Sequence, residues 1–226
     1  MTASPQLVLA MLADARLPTG GHAHSAGLEP AVLGGLSGDG RRLDEIPAFA
    51  RSRLRTVTAT EAGAAVVARH HWLEGHPLAD VEEAWAARTP SGAVRAAARQ
   101  LGRGYLRLAH GLWPDEMAGA FEAGSAPPRP LVLGVIGAIC DLTPRQVAQL
   151  VGYDDVQTIA SAALKLVPLD PVVATRWVLR LHPDIDALAD EVEHLTDPAR
   201  IPARGAPVLD GDAERHAHST RRLFHA

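Results

Sequence analysis

Residues 89–112 read TPSGAVRAAARQLGRGYLRLAHGL. Val94, Ala97, Ala98, Leu101, Tyr105, Leu108 and Leu112 recur at steps of three and four, the period of one helix face. Thr89-Pro90-Ser91 ahead of them supplies a turn and a helix start. Arg95, Arg99, Arg103 and Arg107 follow one another at intervals of four and wind slowly around one side of the same helix. That row either grips a phosphate or an acidic partner, or is a solvated face. Gly102 and Gly104 each cost about 1 kcal/mol against alanine in a helix interior. Their presence predicts close packing or a local bend there.

Helical periodicity extends in both directions from this segment. Upstream, Gln6–Asp14 reads as a short helix, stopped by Leu17-Pro18-Thr19-Gly20-Gly21. Ser25 caps a second helix running towards Leu33, and Gly34–Gly40 is a loop. Leu43–Glu74 is a long helical stretch that Thr56–Thr60 weakens, and Leu78–Ala87 is a shorter helix. Downstream, Gly134 and Gly137 in the apolar Leu131–Cys140 favour a tightly packed buried helix. Thr143-Pro144 is an N-cap with proline in the first turn. Gln146–Gly152 and Val156–Val167 read as separate helices, with Asp154 and Asp155 opening the second. Val172–Leu181 and Ile185–Leu195 follow as two more. There is no internal repeat and no β-alternation. The expectation is an all-α, single-domain bundle of about eight to ten helices over 1–226, with a flexible tail from about residue 208.

Composition narrows the function. Lys+Arg is 22 and Asp+Glu is 26, for a formal net charge of −4. Nucleic-acid binders need a concentrated positive field, so that class is set aside. Cys140 is the only cysteine, which excludes an internal disulfide and multi-cysteine metal sites. Lys165 is the only lysine, and its neighbours are Leu164 and Leu166. A P-loop needs Gly-Lys before Ser or Thr, so the chain is not a nucleotidase of that type. No apolar run reaches the length of a membrane span and no basic n-region precedes Leu12, which points to a cytoplasmic protein.

Candidate chemistry is sparse. His22 and His24 stand after Gly20-Gly21. In a helix they would point about 200° apart. In an extended loop they share a side and offer imidazoles to nickel, zinc or copper. The bland alternative is a pair of polar loop residues. His216 and His218 repeat the spacing in what reads as a solvated terminal helix. Cys140, at the end of an apolar run, reads as an inert buried thiol. Lys165 lies among apolar residues beside a proline stop, so either its stem snorkels or its charge is presented to a partner. Leu223 and Phe224 are apolar residues in a polar tail. A small metal-dependent hydrolase using His22, His24 and a carboxylate such as Glu29 is the competing reading.

Four stretches, in order along the chain, together resemble the urease accessory protein UreF family. They are Leu17–Glu29 (Leu-Pro-x-Gly, then Ser-x-Gly-Leu-Glu), Arg99–Leu108 (Gln-x-Gly-Arg), Ala162–Leu169 (Ala-Ala-Leu-Lys-Leu-Val-Pro-Leu) and Glu214–Phe224 (a His-rich segment ending Arg-Leu-Phe). Three departures stand out. His22-Ala23-His24 replaces an aromatic, Asp170-Pro171 replaces Gly-Gln, and Ala217 replaces a glutamate. The resemblance implies a cytoplasmic, non-enzymatic, homodimeric protein with no tightly bound cofactor. It implies a bridge between UreD (also called UreH) and the GTPase UreG that modulates GTP hydrolysis while nickel passes to apo-urease. Partner contacts then fall on Arg99, Arg103, Lys165, Arg222, Leu223 and Phe224; separately from the resemblance, the Gly-Gly-His-x-His loop offers His22 and His24 as transient nickel ligands. No nucleic acid and no membrane enter this scheme.

Overall fold

The computed structural model describes residues 4–220 and 223–224. Among these residues it is all helical, with ten α-helices and two short 3-10 turns. The helices are α1 (Pro5–Leu12), α2 (Leu28–Leu33), α3 (Glu45–Leu54), α4 (Val57–Glu74) and α5 (Leu78–Ala87). Then come α6 (Gly92–Leu112), α7 (Arg129–Ile139), α8 (Pro144–Leu166), α9 (Pro171–Val192) and α10 (Pro207–Ala217). The 3-10 turns are Gly21–Ala23 and Pro198–Arg200.

Helix α4 is the axis of the bundle. It is buried on every side from Thr58 to Ala68, because its residues there are small: Ala59, Ala62, Gly63, Ala64, Ala65 and Ala68. It packs chiefly on α7 and α8, while α9 covers α8 and α6 covers α7. The α4–α7 crossing needs Gly134, since a Cβ there would lie 2.4 Å from the Ala65 carbonyl oxygen. Alanine and glycine therefore do the work that large side chains do in a wider-spaced bundle.

Several element boundaries match the sequence reading. Ser91 caps α6, its hydroxyl accepting the Val94 N–H at 3.2 Å. Thr143 and Gln146 form a reciprocal capping box on α8. The long stretch breaks at Thr56 (φ −122°, ψ −93°), whose hydroxyl donates to the Ser52 carbonyl at 2.9 Å. Ser25 does receive the Glu29 N–H at 3.2 Å, but the N-cap of α2 is Gly27 in the left-handed region.

Two expected breaks do not occur. Helix α8 runs unbroken through Gly152, Asp154 and Asp155. Packing of Val147, Leu150, Val151, Val156 and Ile159 offsets the cost of an interior glycine, about 1 kcal/mol. The two aspartates are mid-helix and paired with arginines from other helices, so they do not open a helix. Helix α9 likewise continues through Pro183. A proline frees the carbonyl four residues back, here that of Leu179, whose side chain is on the exposed face. Water can satisfy that carbonyl while Trp177, Leu181, Ile185 and Leu188 keep one buried stripe.

Candidate functional site

The loop between α1 and α2 is seated on α6. Position 104 must be glycine, because a Cβ there would lie 2.0 Å from the Thr19 carbonyl oxygen. The Thr19 side chain also hydrogen-bonds Tyr105. Gly104→Ala is expected to push this loop off α6 and cost about 1–3 kcal/mol, the range for overpacking. Thermal unfolding of the variant checks it, and an unchanged midpoint would contradict the close approach.

Beyond Thr19 the chain makes the Gly21–Ala23 turn and becomes extended at His24 (φ −112°, ψ 150°). His22 is exposed and His24 is buried, yet both line one cavity of about 240 Å³. Tyr105, Asp154, Lys165 and Phe224 line it too. Lys165 Nζ donates to the His22 carbonyl at 3.4 Å and stands 5.0 Å from the centre of the Phe224 ring, a cation–π distance. Phe224 is buried while Leu223 is 72 % exposed.

The tail is fastened by Glu29, a buried carboxylate at the start of α2. Its Oε1 accepts the Leu223 N–H at 2.7 Å and its Oε2 accepts the Phe224 N–H at 2.9 Å. His216 Nε2 lies 3.2 Å from the same Oε2, at ion-pair distance but off-line for a hydrogen bond. His216 is therefore a buried partner of α2, a correction to its reading as part of a solvated helix. A second tie joins α10 to the start of α6. The Ser91 hydroxyl donates to Glu214 at 2.6 Å and the Ala93 N–H donates to it at 2.9 Å. The Ser91 hydroxyl first, then the Ala93 N–H, hold the Glu214 carboxyl below its ordinary value. A depressed carboxylate stabilises the folded state above its unfolded pKa, and that contribution disappears as pH falls through the folded pKa. The Ala93 amide resonance is thus expected to titrate with a midpoint below the ordinary 4.5. A midpoint at or above that value would remove the tie.

Beneath this cavity lies a second, of about 70 Å³, room for a few waters. Its walls include Glu61, Tyr105, Arg129, Asp154 and Asp155. The fully buried Arg129 pairs with Glu61, and with Asp154 at 2.5 Å. Arg53 Nε donates to both Asp155 oxygens at 3.0 and 2.9 Å, and the Thr58 hydroxyl donates to Asp155 at 2.8 Å. Burial works against the Arg129 charge, but Glu61, Asp154 and Asp155 outweigh it and its pKa is raised. Burial raises the Asp154 carboxyl, Arg129 opposes, and Asp155 and Glu61 raise it further. Burial also pushes the Tyr105 phenol far up, so it stays neutral.

A family model described as UreF matches residues 41–182, and the chain has whole-length relatives of that description. The chain belongs to the UreF family. It is 37 % identical over 220 residues to the urease accessory protein UreF of Mycobacterium sp. (strain JLS), covering 96 % of each chain. It is 36 % identical over 217 residues to that of Mycobacterium bovis (strain BCG / Pasteur 1173P2), covering 96 % of this chain and 97 % of the relative. It is 35 % identical over 223 residues to that of Mycobacterium marinum, with the same coverage.

In this UreF-family chain all four motif stretches reach the larger cavity, the second of them through Tyr105. His22, His24, Lys165 and Phe224 come together there, with Glu29 and His216 behind the tail. Arg99 is turned elsewhere: it donates to Glu82 at 2.6 Å and to the Ala126 carbonyl at 2.8 Å, tying α6 to α5. Arg103 is exposed and makes no ion pair or hydrogen bond among the described residues. Arg222 lies outside the described residues. Cys140 is half-buried, and burial pushes its thiol up to about 11, which keeps it from acting as a thiolate near neutral pH. His70, His71 and His76 crowd together, with ring centres 5.3–6.3 Å apart. Among the described residues, however, no group of three or more His, Cys, Asp or Glu side chains could hold a metal ion. Nor is any described helix long and apolar enough to cross a membrane.

Proposed function

We propose that this chain is a non-enzymatic accessory protein of urease maturation. It bridges UreD (UreH) and the GTPase UreG, modulates GTP hydrolysis, and assists nickel transfer to apo-urease in the cytoplasm, as a homodimer. The observation that supports this reading best is a convergence. The His22 carbonyl, the Lys165 ammonium and the Phe224 ring, more than 50 residues apart in sequence, are in contact at one surface cavity. A cation at the mouth of such a cavity suits a contact beside a partner's nucleotide, where added positive charge stabilises the transferring phosphoryl group. His22 and His24 offer imidazoles to nickel in transit, which is cargo and needs no closed set of ligands.

Co-purification with UreD and UreG tests the bridge: a ternary complex is expected, and its absence with both partners supplied overturns the reading. Lys165→Ala is expected to fold normally, because the ammonium is exposed and its ring contact is worth only about 0.5–1 kcal/mol. Urease activation should nevertheless fall severalfold. Unchanged activation would make Lys165 a snorkelling side chain and nothing more. Normal maturation by a His22→Ala/His24→Ala double variant would likewise remove the nickel-ligand role.

A further inference from the structure

The outward face of the first half of α9 is not explained by the cavity or the tail. Val172 is 61 % exposed and Leu179 is 64 % exposed. They are seven residues apart, two turns of helix, so they form one ridge about 10 Å long. Arg176 and Arg180, also exposed, flank that ridge at a spacing of four. Pro171–Pro183 contains no acidic residue, in a chain whose net charge is −4.

The second half of the same helix is built the other way. Asp184 pairs with Arg51 and Arg55, Glu191 pairs with Arg204, and Asp186, Asp190 and Glu193 pair with Arg145. Acidic side chains on α9 are thus neutralised within the chain. Arg176 and Arg180 make no ion pair or hydrogen bond among the described residues. Two unpartnered guanidiniums beside two bare aliphatic side chains are complementary to an apolar residue set between carboxylates.

We propose that Val172, Arg176, Leu179 and Arg180 form a docking ridge for an acidic amphipathic helix of another protein. An apolar side chain of that helix sits between Val172 and Leu179. Its carboxylates pair with Arg176 and Arg180, whose planar forks suit bidentate contact. A lipid surface fits less well, because the ridge has two aliphatic side chains and no Trp or Phe among its exposed residues. A second copy fits less well, because two-fold packing of this ridge on itself would set guanidinium against guanidinium.

The test takes its probes from the proposed bridging role and rests on that role. The full chain, Arg176→Glu/Arg180→Glu and Leu179→Ser are titrated separately against UreD, UreG and apo-urease, at low and at high salt. Both variants should unfold at the wild-type temperature. The charge-reversed variant should bind one of the three at least tenfold more weakly, with a flatter salt dependence, and Leu179→Ser should weaken the same complex. Binding of all three partners within twofold of wild type overturns the ridge and leaves the bridging role intact. Wild-type chain that binds none of the three overturns the bridging role itself and removes the ridge's partner with it. Sedimentation showing that the variants lose only self-association, or loss of wild-type binding to phosphatidylserine vesicles, assigns the ridge to another occupant and overturns the proposal.

Discussion

Arg129→Ala is expected to destabilise the protein by about 3–5 kcal/mol, the usual cost of removing one member of a buried ion pair. At this chain length that corresponds to a fall in melting temperature of about 6–20 °C. The reason is what the substitution leaves behind. Glu61 pairs with Arg129 at full burial, and Asp154 is the other partner of the same guanidinium. Without it, two carboxylates face each other and Asp155 across a small interior cavity where Arg53 is the remaining guanidinium among the described lining residues. Either they stay charged and repel, or they take up protons and lose their charge-assisted bonds. Adding Glu61→Gln and Asp154→Asn to Arg129→Met should recover much of the loss, because no uncompensated charge then remains. Calorimetry on the single and triple variants decides it. A single variant within 1 kcal/mol of wild type would mean that the cluster is hydrated well enough to need no guanidinium.

Glu29→Ala should release the end of the chain while leaving the bundle folded. One buried carboxylate holds the Leu223 and Phe224 amides and faces His216. Hydrogen bonds to a charged group are each worth about 1.5–3 kcal/mol, more than the burial of a single phenylalanine at the chain end can replace. Limited proteolysis should then cut beyond α10 much faster than in the wild-type chain, and Phe224 should leave the cavity that Lys165 borders. If the tail is part of the UreD contact, capture of UreD should weaken at least tenfold, about 1.4 kcal/mol. Glu29→Gln keeps one acceptor oxygen and should fall between the two. Wild-type proteolysis kinetics in Glu29→Ala would show that the tail is held by the Phe224 ring alone.

The helical class and most helix ends were legible because they depend on neighbours in sequence. The three- and four-residue recurrence of Val94 to Leu112, the Ser91 cap and the Thr143–Gln146 capping box are local signals. The breaks expected at Gly152–Asp155 and at Pro183 were misread for the complementary reason. Each residue does disfavour a helix locally, and packing along α8 and α9 outweighs it. His216 looked like a solvated tail residue because nothing near it in sequence announces Glu29, 187 positions upstream. Arg129 carried no signal either, since its partners Glu61 and Asp154 belong to other helices.

By itself, then, the sequence determined the fold class, the family and the absence of a P-loop, and it marked Lys165 as the single lysine in a motif stretch. Periodicity, caps and ordered motifs suffice for those, because each acts within a few turns of chain. Which motif stretches share a site was decided only by the tertiary structure. Gly104 lets the Thr19 loop lie on α6, and Glu29 pins Phe224 against Lys165. Arg99 was drawn away to Glu82. Close approach of backbones and burial of charge are properties of the packed bundle, and no single segment encodes them.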